Sequence, residues 1–249
     1  MARQGEIRLS ETPAPGDTIT LTGDNLEALK HWGPRPGMAV TVLSGSGESL
    51  RARVISVESD HALLLVFERM PGAAESGISV TLVQALPDKE RMELIIEKTA
   101  ELGVDVIVPW KAARGIDLDE RDRGQQKSRH WQRRAAKAAK QCRRGRIPAI
   151  MPFTGLKEAL EQVQEFELKL ALYEKEGAAF AETLAGCSHA TTAALLVGPE
   201  GGLAEWELSL ARQAGFVPLH LGGRILRTET AAIAAVTIIQ YALGDLGGK

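Results

Sequence analysis

The chain has 249 residues, 44% of them hydrophobic and 4% aromatic, and 30 lysines and arginines against 32 acids give a formal net charge of −2; that suits one large domain, or a large and a small one, with apolar content enough for a real core. No apolar run reaches membrane-spanning length and the start, MARQGEIRLS, lacks the apolar stretch of a secretory signal, which places the chain in the cytoplasm. Cys142 and Cys187 form no CxxC pair and the histidines His31, His61, His130, His189 and His220 are scattered, which argues against a disulfide framework and a metal site.

In chain order, the first part, to about Glu68, holds the β-type runs DTITL, MAVTVL, RARVISV and HALLLVF. Gly, Pro and Ser punctuate them, a spacing that predicts a small β-barrel or sandwich. RMPGAAESG, residues 69–77, then reads as a linker. From Ser79 strands and helices alternate: SVTLVQAL is a strand, and Met92, Ile95, Ile96, Thr99 and Leu102 recur at helical spacing. VDVIVPW is the next strand. Further on ELKLALY, TAALLVG and FVPLHLG are short apolar runs, each followed by a helical stretch. That alternation implies an α/β class: a parallel sheet with helices on both faces, and ligands at the carboxyl ends of its strands.

Between the second and third of these strands lies KSRHWQRRAAKAAKQCRRGRIP. Lys127 to Arg146 carries nine basic residues and no acid, so the remaining chain carries a net −11. Trp131, Ala135, Ala138, Ala139 and Cys142 share one helical face, leaving Arg129, Arg133, Arg134, Lys137 and Lys140 elsewhere. With Arg143, Arg144 and Arg146 they read as contacts to a nucleic-acid phosphate backbone, the bland alternative being a solvated surface.

Two glycine segments sit at strand ends. LLVGPEGGLAEWELSLARQ places Gly198, Gly201 and Gly202 between a strand and a helix; it lacks GxGxxG and has no GK[ST], so it is neither a Rossmann fingerprint nor a P-loop. LHLGGRILRTETAAIAAV repeats the arrangement, with Leu221, Gly222 and Gly223 ending a strand and Thr228 placed to cap a helix from about Glu229. Two neighbouring glycine turns make a cleft with a backbone-lined floor, suited to a cofactor with an adenine and a flexible tail. Arg224 and Arg227 either solvate the second loop or contact anions.

Together, MELIIEKTAELGVDVIVP, AAKQCRRGRIPAI, LLVGPEGGLAEWE and LGGRILRTETAAIAAV resemble the RsmE family of the SPOUT superfamily. The likeness runs from about Met92 to the end. It implies a methyltransferase that uses S-adenosylmethionine to modify N3 of a uridine in 16S rRNA, in the free RNA or the assembled small subunit. It also implies a PUA-like, RNA-binding β-barrel over residues 1–72, a SPOUT domain over 73–249 with a carboxyl-terminal trefoil knot, and a homodimer. Carried over, the cofactor pocket is lined by Leu196, Val197, Gly198, Pro199, Glu200, Gly201, Gly202, Leu221, Gly222, Arg224, Ile225 and Leu226, with Thr230 close by. Ala204 stands where such proteins often have a capping serine, with Glu207 retained.

Methylating a ring nitrogen requires alignment of donor and acceptor, removal of the N3 proton and stabilisation of the charge that spreads to the uracil oxygens. Arg144 and Arg227 are the candidates for the last task. Glu200 and Glu229 are candidate bases, each also explicable as structural. The target base is expected to leave its stack. A SPOUT enzyme acting on another RNA such as tRNA, and a non-catalytic RNA-binding assembly factor, are the alternatives.

Overall fold

The computed structural model describes residues 4–115, 128–175, 177–187 and 189–247. The chain divides into two compact units, one of Met1–Glu75 with Ala136–Pro148, the other of Ser76–Ala135 with Ala149–Lys249. The basic segment is therefore shared: its helix begins in the second unit and ends in the first, a division that hydrophobic periodicity does not reveal.

In the first unit, β1 (Thr18–Leu21), β2 (Ala39–Leu43), β3 (Ser49–Val57) and β4 (Ala62–Arg69) form an antiparallel sheet in the order β1-β4-β3-β2. These strands fall on the four β-type runs of the sequence. Helix α1 (Gly23–His31) was not expected; it buries Leu26 and Leu29. Arg8 joins Leu43 through an isolated parallel bridge. Val40, Val42, Leu50, Ala52, Leu64 and Val66 are buried at 2% exposure or less; each such aliphatic side chain contributes roughly 1–3 kcal/mol when removed from water.

The second unit contains β5 (Ser79–Ala85), α2 (Lys89–Glu101), β6 (Val104–Trp110), the start of α3 (Ser128–Gln141), β7 (Ala149–Ile150), α4 (Leu156–Glu161), β8 (Leu168–Leu172), β9 (Ala178–Ala179), α5 (Phe180–Ala185), β10 (Thr192–Val197), α6 (Glu205–Gln213), β11 (Val217–His220) and α7 (Thr228–Leu243). Its seven strands run parallel in the order β7-β6-β5-β10-β8-β11-β9. Successive residues Val80 to Ala85 are all buried. Since neighbours on a strand point to opposite faces, both faces of the sheet are covered, as parallel sheets require.

Helix α2 starts where Asp88 accepts a hydrogen bond from the Arg91 N–H at 2.9 Å, and it buries Met92, Ile95, Ile96 and Thr99 of the face read from the sequence, while Leu102 falls at its C-cap and is only half-buried. A second apolar cluster joins Val108, Trp110, Ala171, Tyr173, Leu196, Leu203, Leu208 and Phe216. It clamps the carboxyl halves of β6, β8 and β10 to α6, so the loops beyond those strands leave a rigid base. No described helix is long and apolar enough to cross a membrane.

Candidate active site

Strands β10, β8 and β11 are adjacent and parallel, so their carboxyl ends open on one edge of the sheet. A cavity of about 220 Å³ lies there, lined by Leu172–Glu174, Val197–Leu203, Leu219–Gly222, Arg224–Leu226, Thr228 and Ala231. Three strand ends and the first turn of α7 thus converge on one site, where open α/β sheets place their ligands. Leu172, Val197, Leu219 and Leu226 supply apolar wall, while Glu174, Glu200, His220 and Arg224 supply its polar side chains.

Buried hydroxyl and carboxylate groups hold the loops. Thr228, 4% exposed, donates from Oγ1 to the Gly198 carbonyl at 2.7 Å and accepts from Gln84 Nε2 at 3.0 Å. Gln84 is itself fully buried and also donates to the Ala85 carbonyl at 2.8 Å. One threonine therefore ties the end of β10 to α7 and to β5. Arg227 occupies the N-cap position and Thr228 is already helical. This corrects the expected cap: the Thr228 hydroxyl reaches across to Gly198 instead of back to its own helix.

Glu207, fully buried, accepts from the Ala204 N–H at 2.8 Å and from the Ala113 N–H at 2.7 Å. Ala204 has no side-chain oxygen, so only the glutamate half of a capping box survives. Its second oxygen instead holds the segment after β6. Two glycines are required by conformation. Gly202 has φ 69°, and a Cβ there would also meet Glu174 Oε1 at 2.9 Å; Gly222 has φ 91°, with its N–H donating to His220 Nδ1 at 3.2 Å.

Arg91, at the start of α2, joins the two glycine segments. It hydrogen-bonds Glu200 and lies 3.2 Å from Asp88 and 3.6 Å from Glu229. The Glu200 hydrogen bond above all, with the charges of Asp88, Glu200 and Glu229, holds the guanidinium above its ordinary pKa. Glu229 is the second residue of α7, where the helix dipole favours negative charge.

Residues 74–240 match the RNA methyltransferase domain family. The chain is also 30% identical over 230 residues to ribosomal RNA small subunit methyltransferase E of Bacillus subtilis, covering 90% of each protein. It belongs to the ribosomal RNA small subunit methyltransferase E family. A member from Neisseria gonorrhoeae, solved with bound S-adenosyl methionine, superposes with a TM-score of 0.70 at 30% identity, over 96% of this chain and 98% of that one. A methyltransferase from Legionella pneumophila, also with bound cofactor, gives 0.67 at 29% identity over 98% and 100% of the two chains.

Of the residues expected at a cofactor pocket, Val197, Gly198, Pro199, Glu200, Gly201, Gly202, Leu221, Gly222, Arg224, Ile225 and Leu226 line this cavity. Leu196 does not: it is fully buried inside β10 and packs in the apolar cluster. Thr230 does not either, its side chain lying exposed on α7. The wall from β8, Leu172–Glu174, was missed, although the strand was recognised; its place beside β10 and β11 was the absent information.

The candidates for chemistry separate. Of the two acids, Glu200 lines the cavity and Glu229 does not. Arg227 is exposed at the start of α7 and outside the lining, whereas Arg224 is part of it. Arg144 needs correction. It belongs to the other unit, is 4% exposed, and donates from Nη2 to Glu75 at 2.7 Å. Arg146 shares that carboxylate, donating from Nε at 2.9 Å, and Glu75 also accepts from the backbone N–H of Gly145 at 2.9 Å and Arg146 at 3.1 Å. Both arginines therefore serve as a buried clasp, not as surface contacts to RNA.

Of the other basic residues, Arg134 pairs with Glu93 at 2.7 Å and Glu97 at 2.9 Å. Arg133, Lys137, Lys140 and Arg143 are exposed. The side chain of Arg129 lies outside the described residues. An acid-free run in sequence has thus drawn acids from elsewhere in the fold, so fewer of its charges face outward than the run suggests.

Proposed function

We propose that this chain transfers a methyl group from S-adenosylmethionine to N3 of a uridine in 16S rRNA of the small ribosomal subunit. The observation that carries the reading is the three-loop cavity at the ends of β8, β10 and β11, in a chain of the ribosomal RNA small subunit methyltransferase E family. The cavity residues fit the cofactor. Leu172, Val197, Leu219 and Leu226 suit the adenine, Gly202 and Gly222 present backbone without side chains, and the carboxylates of Glu174 and Glu200 suit its positive charges.

The cofactor supplies an electrophilic methyl group on a cationic sulfur; this chain's residues orient the partners. Glu200, fixed by Arg91, is the candidate proton acceptor on the wall. Arg224 lines the same cavity and is the cation placed to stabilise negative charge on the uracil oxygens. Arg227, exposed three residues on, reaches for RNA phosphate. The uridine leaves its stack to enter.

The same reading includes a trefoil knot, supported by the placing of β10 between β5 and β8 and by the return bond of Thr228 to Gly198. It includes a PUA-like role for the antiparallel sheet and a cytoplasmic place of work. It also includes a homodimer, supported by apolar side chains left bare on the methyltransferase unit: Ile225 is 86%, Tyr241 66% and Trp206 58% exposed.

A methyl on N3 blocks the pairing edge of uridine, so reverse transcription halts there. Unmodified small subunits treated with the protein and S-adenosylmethionine should give a new stop in 16S rRNA. A stop only in tRNA, or cofactor binding with no stop in any RNA, overturns the reading.

A further inference from the structure

At the end of α3 the chain passes through Arg143 with φ 65°, the one non-glycine residue in the left-handed region among the described residues. A residue in that conformation after a helix is ordinarily glycine, because a Cβ crowds the neighbouring carbonyl. An arginine kept there against its backbone preference calls for a reason.

Its surroundings supply one. Thr41 Oγ1 donates to the Arg143 carbonyl at 2.7 Å and accepts from Arg51 Nη1 at 2.8 Å. Thr41 on β2 pairs in register with Arg51 on β3, which faces Glu68 on β4, and Glu68 lies 3.4 Å from Arg143 Nη1. Arg143 is thus laid across a row of three strands. Arg51 in that row is only 8% exposed, and Thr41 Oγ1 is its single side-chain partner among the described residues.

Further positive charge gathers at the same place. Burial, then the charges of Arg35 and Arg51, holds the Lys140 ammonium below the usual lysine value. Burial, then Arg143, lowers Arg51, with Glu68 opposing. Among the described residues Glu68 is the only carboxylate paired with any of these four cations. The remaining positive charge is suited to an anionic partner.

We propose that Arg35, Arg51, Lys140 and Arg143 form a phosphodiester-binding site for RNA on the antiparallel-sheet unit. Arg51 is its fixed, buried positive base. Arg143, exposed and held at its carbonyl by Thr41, grips the phosphate with the planar fork that a lysine lacks. Arg35 and Lys140 flank it. The inference rests on the reading that this chain acts on rRNA, and adds residues of the sheet that the basic run alone did not bring in.

The test is Arg143→Gly, which suits the left-handed backbone and removes the guanidinium. The expected result is an unchanged or higher Tm, unchanged S-adenosylmethionine affinity, and binding to unmodified small subunits about tenfold weaker. The slope of log K against log salt should fall by about 1. A second variant, R35A with K140A, should lower the slope by about a further 2. If wild-type protein binds and methylates the subunits but both variants match it in affinity and slope, the site is overturned while the methyltransferase reading stands. A Tm loss that accompanies lost binding in Arg143→Gly also overturns it, since Arg143 would then be structural. No salt-dependent binding by the wild type removes the reading and the site together.

Discussion

The turn after α3 carries Arg143, Arg144 and Arg146 and the turn after β11 carries Arg224 and Arg227, yet the two are built in opposite ways. In the first, Arg144 and Arg146 are themselves the framework, drawn inward onto Glu75. In the second, the framework is Gly222, Thr228 and the Gly198 carbonyl, and Arg224 and Arg227 remain exposed. Where a hydroxyl and a glycine hold the backbone, both cations are left for a ligand; where Arg144 and Arg146 hold it, those two are consumed and Arg143 alone stays exposed.

Removing Glu75 tests the first half of that contrast most severely. Glu75→Ala withdraws the acceptor from two buried guanidiniums and two backbone N–H groups, and should cost about 3–5 kcal/mol in urea unfolding. A loss under about 1 kcal/mol would return Arg144 and Arg146 to the surface role first expected of them. Thr228→Val is the matching test of the second turn. It keeps the side chain's shape, strands the Gly198 carbonyl and the Gln84 amide, and should cost about 2 kcal/mol with a clear loss of cofactor affinity by calorimetry. The smallest effect on stability belongs to Arg224→Ala, within about 0.5 kcal/mol. Its methylation rate should nevertheless fall by about 100-fold at saturating cofactor, the loss typical of one oxyanion donor. A variant that unfolds instead would erase the difference between the two turns.

Much of this was legible beforehand. The four strands of the small sheet, the apolar face of α2 and the glycine segments after β10 and β11 all came from local signals: alternation, helical spacing and turn residues. What escaped were relations between distant residues. Glu75 lies about 70 residues before the arginines it binds, so the charge count of the basic run stood while its meaning changed. Leu172–Glu174 carry no glycine or charge pattern of their own; only the strand order puts them on the cavity wall. Thr228 looked like a cap because capping is a local rule, whereas its hydroxyl serves Gly198, 30 residues away. Glu207 shows the reverse: half of a local motif persisted and the freed oxygen found Ala113.

The bond from Thr228 to Gly198 also bears on how such a chain emerges from a ribosome. The cavity's walls come from residues 172–231, and the loop after β10 is pinned only when the first turn of α7 arrives. Until Thr228 has been synthesised, the residues before it form a sheet edge with no completed pocket, so a growing chain gains its ligand site only once that turn has followed the strands.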